Sequence, residues 1–243
     1  MKSMVFAAGL GTRLRPLTDK RPKALVKVSG RTLLEHVLNR LADAGADEAV
    51  VNVHHHAEVL TRFIQTHTLP IPVKISDESE LLLNTGGGLM HAQKLFEGVD
   101  TPILLHNVDI FSNADLAAFH RTALPHAATL LVSQRETSRY LLFDDDMRLV
   151  GWTNLNTGEV KSPYVNLHVE DCKRLAFSGI HAFSPHLFPM MASFPPVFSI
   201  IDFYLSVCDK VDIFGYVQPN LEILDVGKIE ALASAADFLQ RHQ

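Results

Sequence analysis

The 243-residue chain is long enough for one large or two closely joined domains around a core of ordinary depth. With 47% hydrophobic and 20% charged residues, and 13 Gly and 12 Pro that follow no period, it is neither disordered nor collagen-like nor of low complexity. The formal net charge of −5, from 22 Lys plus Arg against 27 Asp plus Glu, argues against non-specific nucleic-acid binding, which needs a basic face to neutralise phosphates; a local basic loop still suffices for one small anion.

Met1–Leu10 passes from a short apolar run straight into a glycine-rich loop with no cleavage pattern, so Ser3–Ala8 reads as a first buried strand. Thr32–Ala44 carries apolar residues at helical spacing, and valine-rich Glu48–Val53 follows as a strand. A helix over about 57–65, a strand at 72–75, a helix over about 87–96 and the apolar Pro102–Leu105, ending in Asn107 and Asp109, continue the alternation. Such βαβ patterning predicts a Rossmann-like α/β fold, a mostly parallel sheet covered by helices. After about Ala127 the texture changes to Thr129–Val132, Tyr140–Phe143, Arg148–Trp152 and Leu175–Phe183 between polar turns, which predicts a smaller antiparallel subregion. A helix over 200–207, a strand over 211–217 and a closing helix over 228–239 finish the chain. No flexible linker separates the halves, so 1–243 is expected to be a single domain in two parts, 1–125 and 126–243. No apolar run approaches the roughly 20 residues that span a bilayer. Cys172 and Cys208 close at most one disulfide and form no Cys-x-x-Cys pair. A cytoplasmic protein without membrane or nucleic-acid partners is the expectation.

Three segments carry chemistry. Gly9-Leu10-Gly11-Thr12-Arg13-Leu14-Arg15-Pro16-Leu17-Thr18, then Pro22-Lys23-Ala24-Leu25, follow directly on the first strand. Glycines there let backbone amides approach phosphate oxygens, Arg13 offers a fork of donors and Lys23 a mobile point charge. A dinucleotide fingerprint would need glycine at Leu14, and a P-loop would need Gly-Lys-Ser/Thr. Thr85-Gly86-Gly87-Gly88 precedes the third expected helix, where free amides favour an electron-rich ligand edge; Glu78 or Glu80 just upstream would supply a further contact. Leu104-Leu105-His106-Asn107-Val108-Asp109 ends at the carboxyl edge of the sheet, where open α/β folds place ligands. Three other clusters read as structural: His54-His55-His56 as a strand-to-helix loop, Asp144-Asp145-Asp146 as a solvated hairpin turn, and Phe198, Phe203, Tyr204 and Phe214 as mostly core. Cys172 and Cys208 read as small buried apolar residues.

Residues 9–25 match the signature of the sugar-1-phosphate nucleotidyltransferases, Gly-x-Gly-Thr-Arg-x-Arg-Pro-x-Thr followed by Pro-Lys-x-Leu, and the chain resembles that family over nearly its whole length. The resemblance implies that a nucleoside triphosphate and a sugar 1-phosphate give an NDP-sugar and pyrophosphate, with Mg²⁺. Arg13, Lys23, Asp109 and Asp225 would be catalytic, the two aspartates holding the metal; Val108 stands where the family commonly has glycine before the first of them. Ala8, Gly9, Gly11, Thr12, Arg13 and Lys23 would cradle the phosphates, and Thr85, Gly86 and Gly87 would read the base through the backbone. Asn107, Asn154 and Gly179 would line the sugar side. Many relatives have Glu-Lys-Pro where this chain has Gly151-Trp152-Thr153-Asn154, which leaves a second lysine on the sugar phosphate unassigned. The first part would then bind the nucleotide and the second the sugar. The triple glycine and the Asp-Val-Gly ending look most like the members that use UTP and N-acetylmuramate 1-phosphate. Mannose- or heptose-1-phosphate guanylyl transfer is the alternative, and a silent NDP-sugar-binding homologue is the reading from another class.

Overall fold

The computed structural model describes residues 1–242. It opens with β1 (Lys2–Phe6), whose Val5 packs into one apolar cluster while Met4 and Phe6 pack into another on the opposite face. Alternation without a polar face is what a strand covered on both sides requires. A short hairpin, β2 (Lys27–Val28) and β3 (Arg31–Thr32), leads into α1 (Leu33–Asp43). The expected helix start at Thr32 is its cap: the Thr32 hydroxyl accepts from the Glu35 N–H at 3.2 Å, and the Glu35 carboxylate accepts from the Thr32 N–H at 2.7 Å. Such a reciprocal box satisfies two otherwise unpaired amides.

β4 (Glu48–Val53), α2 (Ala57–Thr66), β5 (Val73–Asp77), α3 (Asn84–His91), β6 (Ile103–Asn107), β7 (Ile110–Ser112) and α4 (Leu116–Ala123) complete the first half. β8 (Ala128–Ser133), β9 (Arg139–Phe143), β10 (Leu149–Asn154), β11 (Glu159–Lys161) and β12 (Lys173–Phe183) follow. The chain closes with α5 (Phe188–Met191), α6 (Ile200–Val207), β13 (Ile213–Val217), β14 (Ile223–Asp225) and α7 (Ile229–Arg241). The expected α/β fold is borne out. β6, β1, β4 and β5 run parallel, and β12 carries the sheet on into the antiparallel β9, β10 and β11. α1, α2, α4 and α7 cover one face, and α3, α5 and α6 the other.

Several elements escape the periodicity reading because they are too short to show a period. β7 and β14 have three residues each and exist by pairing with one another across more than a hundred residues of chain. β11 likewise exists as a partner of β10. α4 is missed although Asp115 caps it by accepting from the Ala118 N–H at 2.8 Å. The third helix begins at Asn84 rather than Gly87, and its last stretch, 92–96, tightens to a 3-10 turn.

Two histidines are sealed into the sheet on neighbouring strands, His106 on β6 and His181 on β12. His181 shares a 2.7 Å hydrogen bond with the Tyr204 hydroxyl. Burial pushes the His106 imidazole down to about 4 and that of His181 down to about 3. Both are therefore neutral in the folded protein, whereas the unfolded chain takes up these protons near 6.5. Stability is fully present above about pH 6.5 and falls as the pH drops from there toward the folded values. Urea unfolding is expected to show a loss on the order of 2–4 kcal/mol between about pH 7.5 and about pH 5; equal midpoints at the two pH values would contradict the buried neutral pair.

Candidate active site

The site forms where β1 and β6 end side by side, with Phe6 paired to Asn107. Beyond Phe6 the chain turns through Ala7 and Ala8 into the glycine loop, and Asn52 on neighbouring β4 sets its direction. Asn52 Oδ1 accepts from both the Ala7 and Ala8 N–H groups, at 2.7 and 3.3 Å, and its Nδ2 donates to Glu78 Oε1 at 2.8 Å. Glu78 is almost fully buried, and burial pushes its carboxyl above the usual range. Of the two acids considered near the third helix, Glu78 therefore belongs to the site's foundation, while Glu80 is exposed. The Ala8 amide is committed to Asn52 and is not free for a phosphate. The sequence marks Asn52 only as a lone polar residue inside the valine-rich β4.

Gly11 lies in the left-handed region at φ +65°, and a side chain there would come within 2.9 Å of Thr18 and 3.2 Å of Lys23. Thr18, itself buried, donates its hydroxyl to the Gly11 carbonyl at 2.8 Å. This tight return of the loop brings Lys23 across to β6, where its Nζ lies 2.6 Å from Asp109 Oδ2, both side chains being under 15% exposed. Arg13 projects from the turn at Thr12–Leu14 and stands 3.6 Å from Asp225.

Asp225 reaches the site through the β7–β14 pairing, which sets it opposite Ile110. The Val226 N–H donates to the Asp109 carbonyl at 2.8 Å, and the Gly227 N–H to Asp225 Oδ1 at 2.8 Å. A Cβ on Gly227 would lie 2.7 Å from each of Arg13 Nη2, Asp109 Oδ2 and Asp225 Oδ1. Three charged groups thus close on one point, and the two carboxylate oxygens are no further apart than twice that distance. Two hard oxygen donors meeting beside two cations fit an octahedral Mg²⁺ that completes its shell with phosphate and water. No third His, Cys, Asp or Glu joins them in a metal-sized group among the described residues.

A cavity of about 480 Å³ opens here, lined among others by Ala8, Gly9, Lys23, Thr85, Asn107 and Asp109. Asn107 also lines an adjoining cavity of about 200 Å³ with Gly179 and Asp225. Gly179 has φ +75°, and a side chain on it would meet the Asn107 amide at 2.8 Å and Ile110 at 2.9 Å. It marks the bulge where the pairing of β12 with β8 shifts register between Phe177 and His181. Asn154 lies further out, in a cavity of about 580 Å³ with Trp152, Lys161 and Arg135. Lys161, in the same cavity, is paired across from Trp152.

The expectation of free amides at Gly86 and Gly87 is corrected. Both N–H groups donate to the Phe198 carbonyl, at 2.9 and 3.2 Å, and Thr85 Oγ1 accepts from the Ile200 N–H at 3.0 Å. A Cβ would fall 2.4 Å from the Phe198 ring at Gly86, 2.1 Å from the Pro196 carbonyl at Gly87, and 2.6 Å from Glu78 Oε1 at Gly88. These glycines let the segment 196–198 and Glu78 pack against the helix start; of the motif, Thr85 alone faces the cavity, beside Asn84. Thr12 is exposed and, like Gly11, lies outside the cavity lining.

The remaining clusters behave structurally. His54–His56 link β4 to α2, with the His54 ring bonded to the Glu78 carbonyl at 2.7 Å, and Asp144 Oδ1 accepts from the Arg148 N–H at 2.8 Å in the β9–β10 turn. Phe203 and Tyr204 are core, while Phe214 is half-buried. Cys208 is buried; Cys172, expected to match it, is half-buried because it follows the surface turn 169–171. No described helix is long and apolar enough to cross a membrane.

A family model described as nucleotidyl transferase matches residues 2–144, more than half of the chain. The chain belongs to this nucleotidyl transferase family. It is 47% identical over 111 residues to the N-acetylmuramate alpha-1-phosphate uridylyltransferase of Caulobacter vibrioides, a match covering 44% of this chain and 45% of that protein. It is 34% identical over 144 residues to the mannose-1-phosphate guanyltransferase of Debaryomyces hansenii, covering 58% of this chain and 40% of that protein. The matched segment thus spans less than half the length of these curated relatives. Among solved structures, HddC from Yersinia pseudotuberculosis complexed with GMP-PN superposes with a TM-score of 0.74 at 21% identity, over 98% of this chain and 99% of that one. A UDP-glucose pyrophosphorylase complexed with UDP-glucose superposes with a TM-score of 0.78 at 13% identity, over 100% and 99%. At these identities the likeness is one of fold.

Proposed function

We propose that the protein transfers a nucleotidyl group from a nucleoside triphosphate to a sugar 1-phosphate, releasing pyrophosphate, and that the pair is UTP and N-acetylmuramate 1-phosphate in the cytoplasm. The observation that carries the reaction class is the convergence of Arg13, Asp109 and Asp225 on one point, with Lys23 on Asp109. A sugar-phosphate oxygen attacks the α-phosphorus in line, the new P–O bond forms as the bond to the pyrophosphate oxygen breaks, and no covalent enzyme intermediate is needed. What the chain supplies is alignment and charge. Arg13, half exposed at the edge of the site, holds the leaving pyrophosphate by its fork of donors. Lys23 moves its ammonium from Asp109 to a phosphoryl oxygen as charge develops there. Asp109 and Asp225 would hold Mg²⁺, which when bound neutralises phosphate charge. Gly9 leaves the loop open to the triphosphate, with a Cβ position 4.0 Å from Lys23 Nζ. Asn84 and Thr85 face the base end of the cavity, and Asn107, Gly179 and Asn154 lie along the sugar side.

The choice of UTP and N-acetylmuramate 1-phosphate is supported by the 47% likeness to the uridylyltransferase. The test is pyrophosphate release by the purified protein with Mg²⁺, crossing UTP, GTP, CTP, ATP and dTTP against N-acetylmuramate, N-acetylglucosamine, glucose, mannose and heptose 1-phosphates. Turnover confined to UTP with N-acetylmuramate 1-phosphate is expected. GTP with mannose or heptose 1-phosphate would keep the reaction and replace the substrates. Tight NDP-sugar binding without turnover of any pair would overturn the enzyme reading in favour of a silent homologue.

A further inference from the structure

Three cavities follow one another along the edge of the sheet. The one at the glycine loop shares Asn107 with the one at Gly179 and Asp225, and that in turn shares Arg135 and Phe177 with the outermost one. One wall of the outermost cavity is built by strand register. Asn154 pairs with Arg139 on one side and Glu159 on the other, and Trp152 pairs with Leu141 and Lys161. Directly opposed residues share a face of a sheet, so these side chains form one surface.

Its charges do not cancel. Both acids, Glu159 and Asp202, are held by Lys161, at 3.9 and 3.4 Å, and that ammonium also stands 5.3 Å above the Trp152 ring. Arg135 and Arg139 make no ion pair among the described residues. The Arg135 guanidinium donates only to the Phe177 carbonyl, at 3.2 Å. Two guanidinium groups therefore stand without a counter-charge at the sugar end of a protein whose net charge is −5. The sugar's 1-phosphate does not need them, because in the proposed reaction it meets the α-phosphorus at the two aspartates, where Lys23 supplies the positive charge. Neutral hydroxyls do not need them either, since Asn154, Thr137 and Ser199 line the same cavity. A planar fork of N–H donors is the complement of a carboxylate.

We propose that Arg135 and Arg139 select a sugar 1-phosphate whose substituent ends in a carboxylate. The proposal rests on the nucleotidyl-transfer reading and names the sugar class within it; N-acetylmuramate, with its lactyl carboxylate, is a member of that class and N-acetylglucosamine is its neutral counterpart.

The test compares binding of UDP-N-acetylmuramate and UDP-N-acetylglucosamine by titration calorimetry in the wild type, in Arg135→Gln, in Arg139→Gln and in the double variant. Both positions are exposed, so the variants keep the fold, and circular dichroism checks it. The wild type is expected to prefer the acidic sugar nucleotide by roughly tenfold to a hundredfold, the range of a charge-assisted hydrogen bond, and the preference is expected to approach one in the double variant. The methyl ester of the lactyl group is expected to bind like the neutral sugar. No preference in the wild type, binding of neither compound, or a preference that survives in the double variant would each overturn the proposal. A preference lost with the two arginines in a protein that never releases pyrophosphate would overturn the catalytic reading and leave the acidic-sugar selection standing.

Discussion

Asp109→Asn is expected to lower kcat/KM for nucleotidyl transfer by a factor on the order of a hundred to a thousand, the usual consequence of removing one preorganised electrostatic contact from a transition state. The side chain keeps its shape but loses its charge. Two functions go with that charge: one of the two carboxylates that converge at Gly227, and the anchor that holds Lys23 at 2.6 Å in a largely buried setting. An amide oxygen is a poorer donor to a hard divalent cation, so the Mg²⁺ concentration giving half-maximal rate is expected to rise as well. Pyrophosphate release across a Mg²⁺ titration, with circular dichroism as the check on folding, measures both effects. A variant that retains activity within about tenfold of wild type would remove Asp109 from the centre of the proposed chemistry.

The largest expected effect on stability belongs to Gly87→Ala. In a helix interior this change ordinarily stabilises by up to about 1 kcal/mol. Here the added carbon would lie 2.1 Å from the Pro196 carbonyl oxygen and 3.1 Å from Leu83. The first obstacle is backbone, which cannot rotate away as a flexible side chain would. Segment 196–198 would have to lift off α3, and the Phe198 carbonyl would lose the N–H groups of Gly86 and Gly87. Overpacking together with broken buried hydrogen bonds predicts a loss of about 2–4 kcal/mol, which outweighs the gain in helix propensity. Urea unfolding reads it directly, with Gly9→Ala as the control, because its added carbon would meet nothing nearer than Lys23 Nζ at 4.0 Å. A Gly87→Ala midpoint equal to that of wild type would contradict the packing account.

The glycine triplet also shows how far local sequence can be read. A run of glycine at a helix start has two physical explanations, open amides for a ligand or close approach by another part of the chain. Nothing within residues 85–88 separates them; Pro196 and Phe198, more than a hundred residues on, decide it. Gly179 is a further case. A glycine inside a strand does not say what comes close to it, and here the Asn107 amide lies against it while the register of β12 shifts around it.

Local pattern is enough for the alternating strands and helices of the first half, the antiparallel texture of the second, and the basic glycine loop at the end of the first strand. Each of these rests on periodicity or composition within a dozen or so neighbouring residues, and such signals survive in one dimension. Only the family resemblance joins Asp225 to Asp109; the assembled fold supplies the pairing that brings them together, sets Asn52 and Glu78 under the loop's base, and places Lys161 between both acids of the outer cavity while Arg135 and Arg139 make no ion pair among the described residues. These depend on β-pairings three residues long and on hydrogen bonds between distant strands. Their free energy comes from contacts that exist only after the sheet has assembled, so no local pattern encodes them.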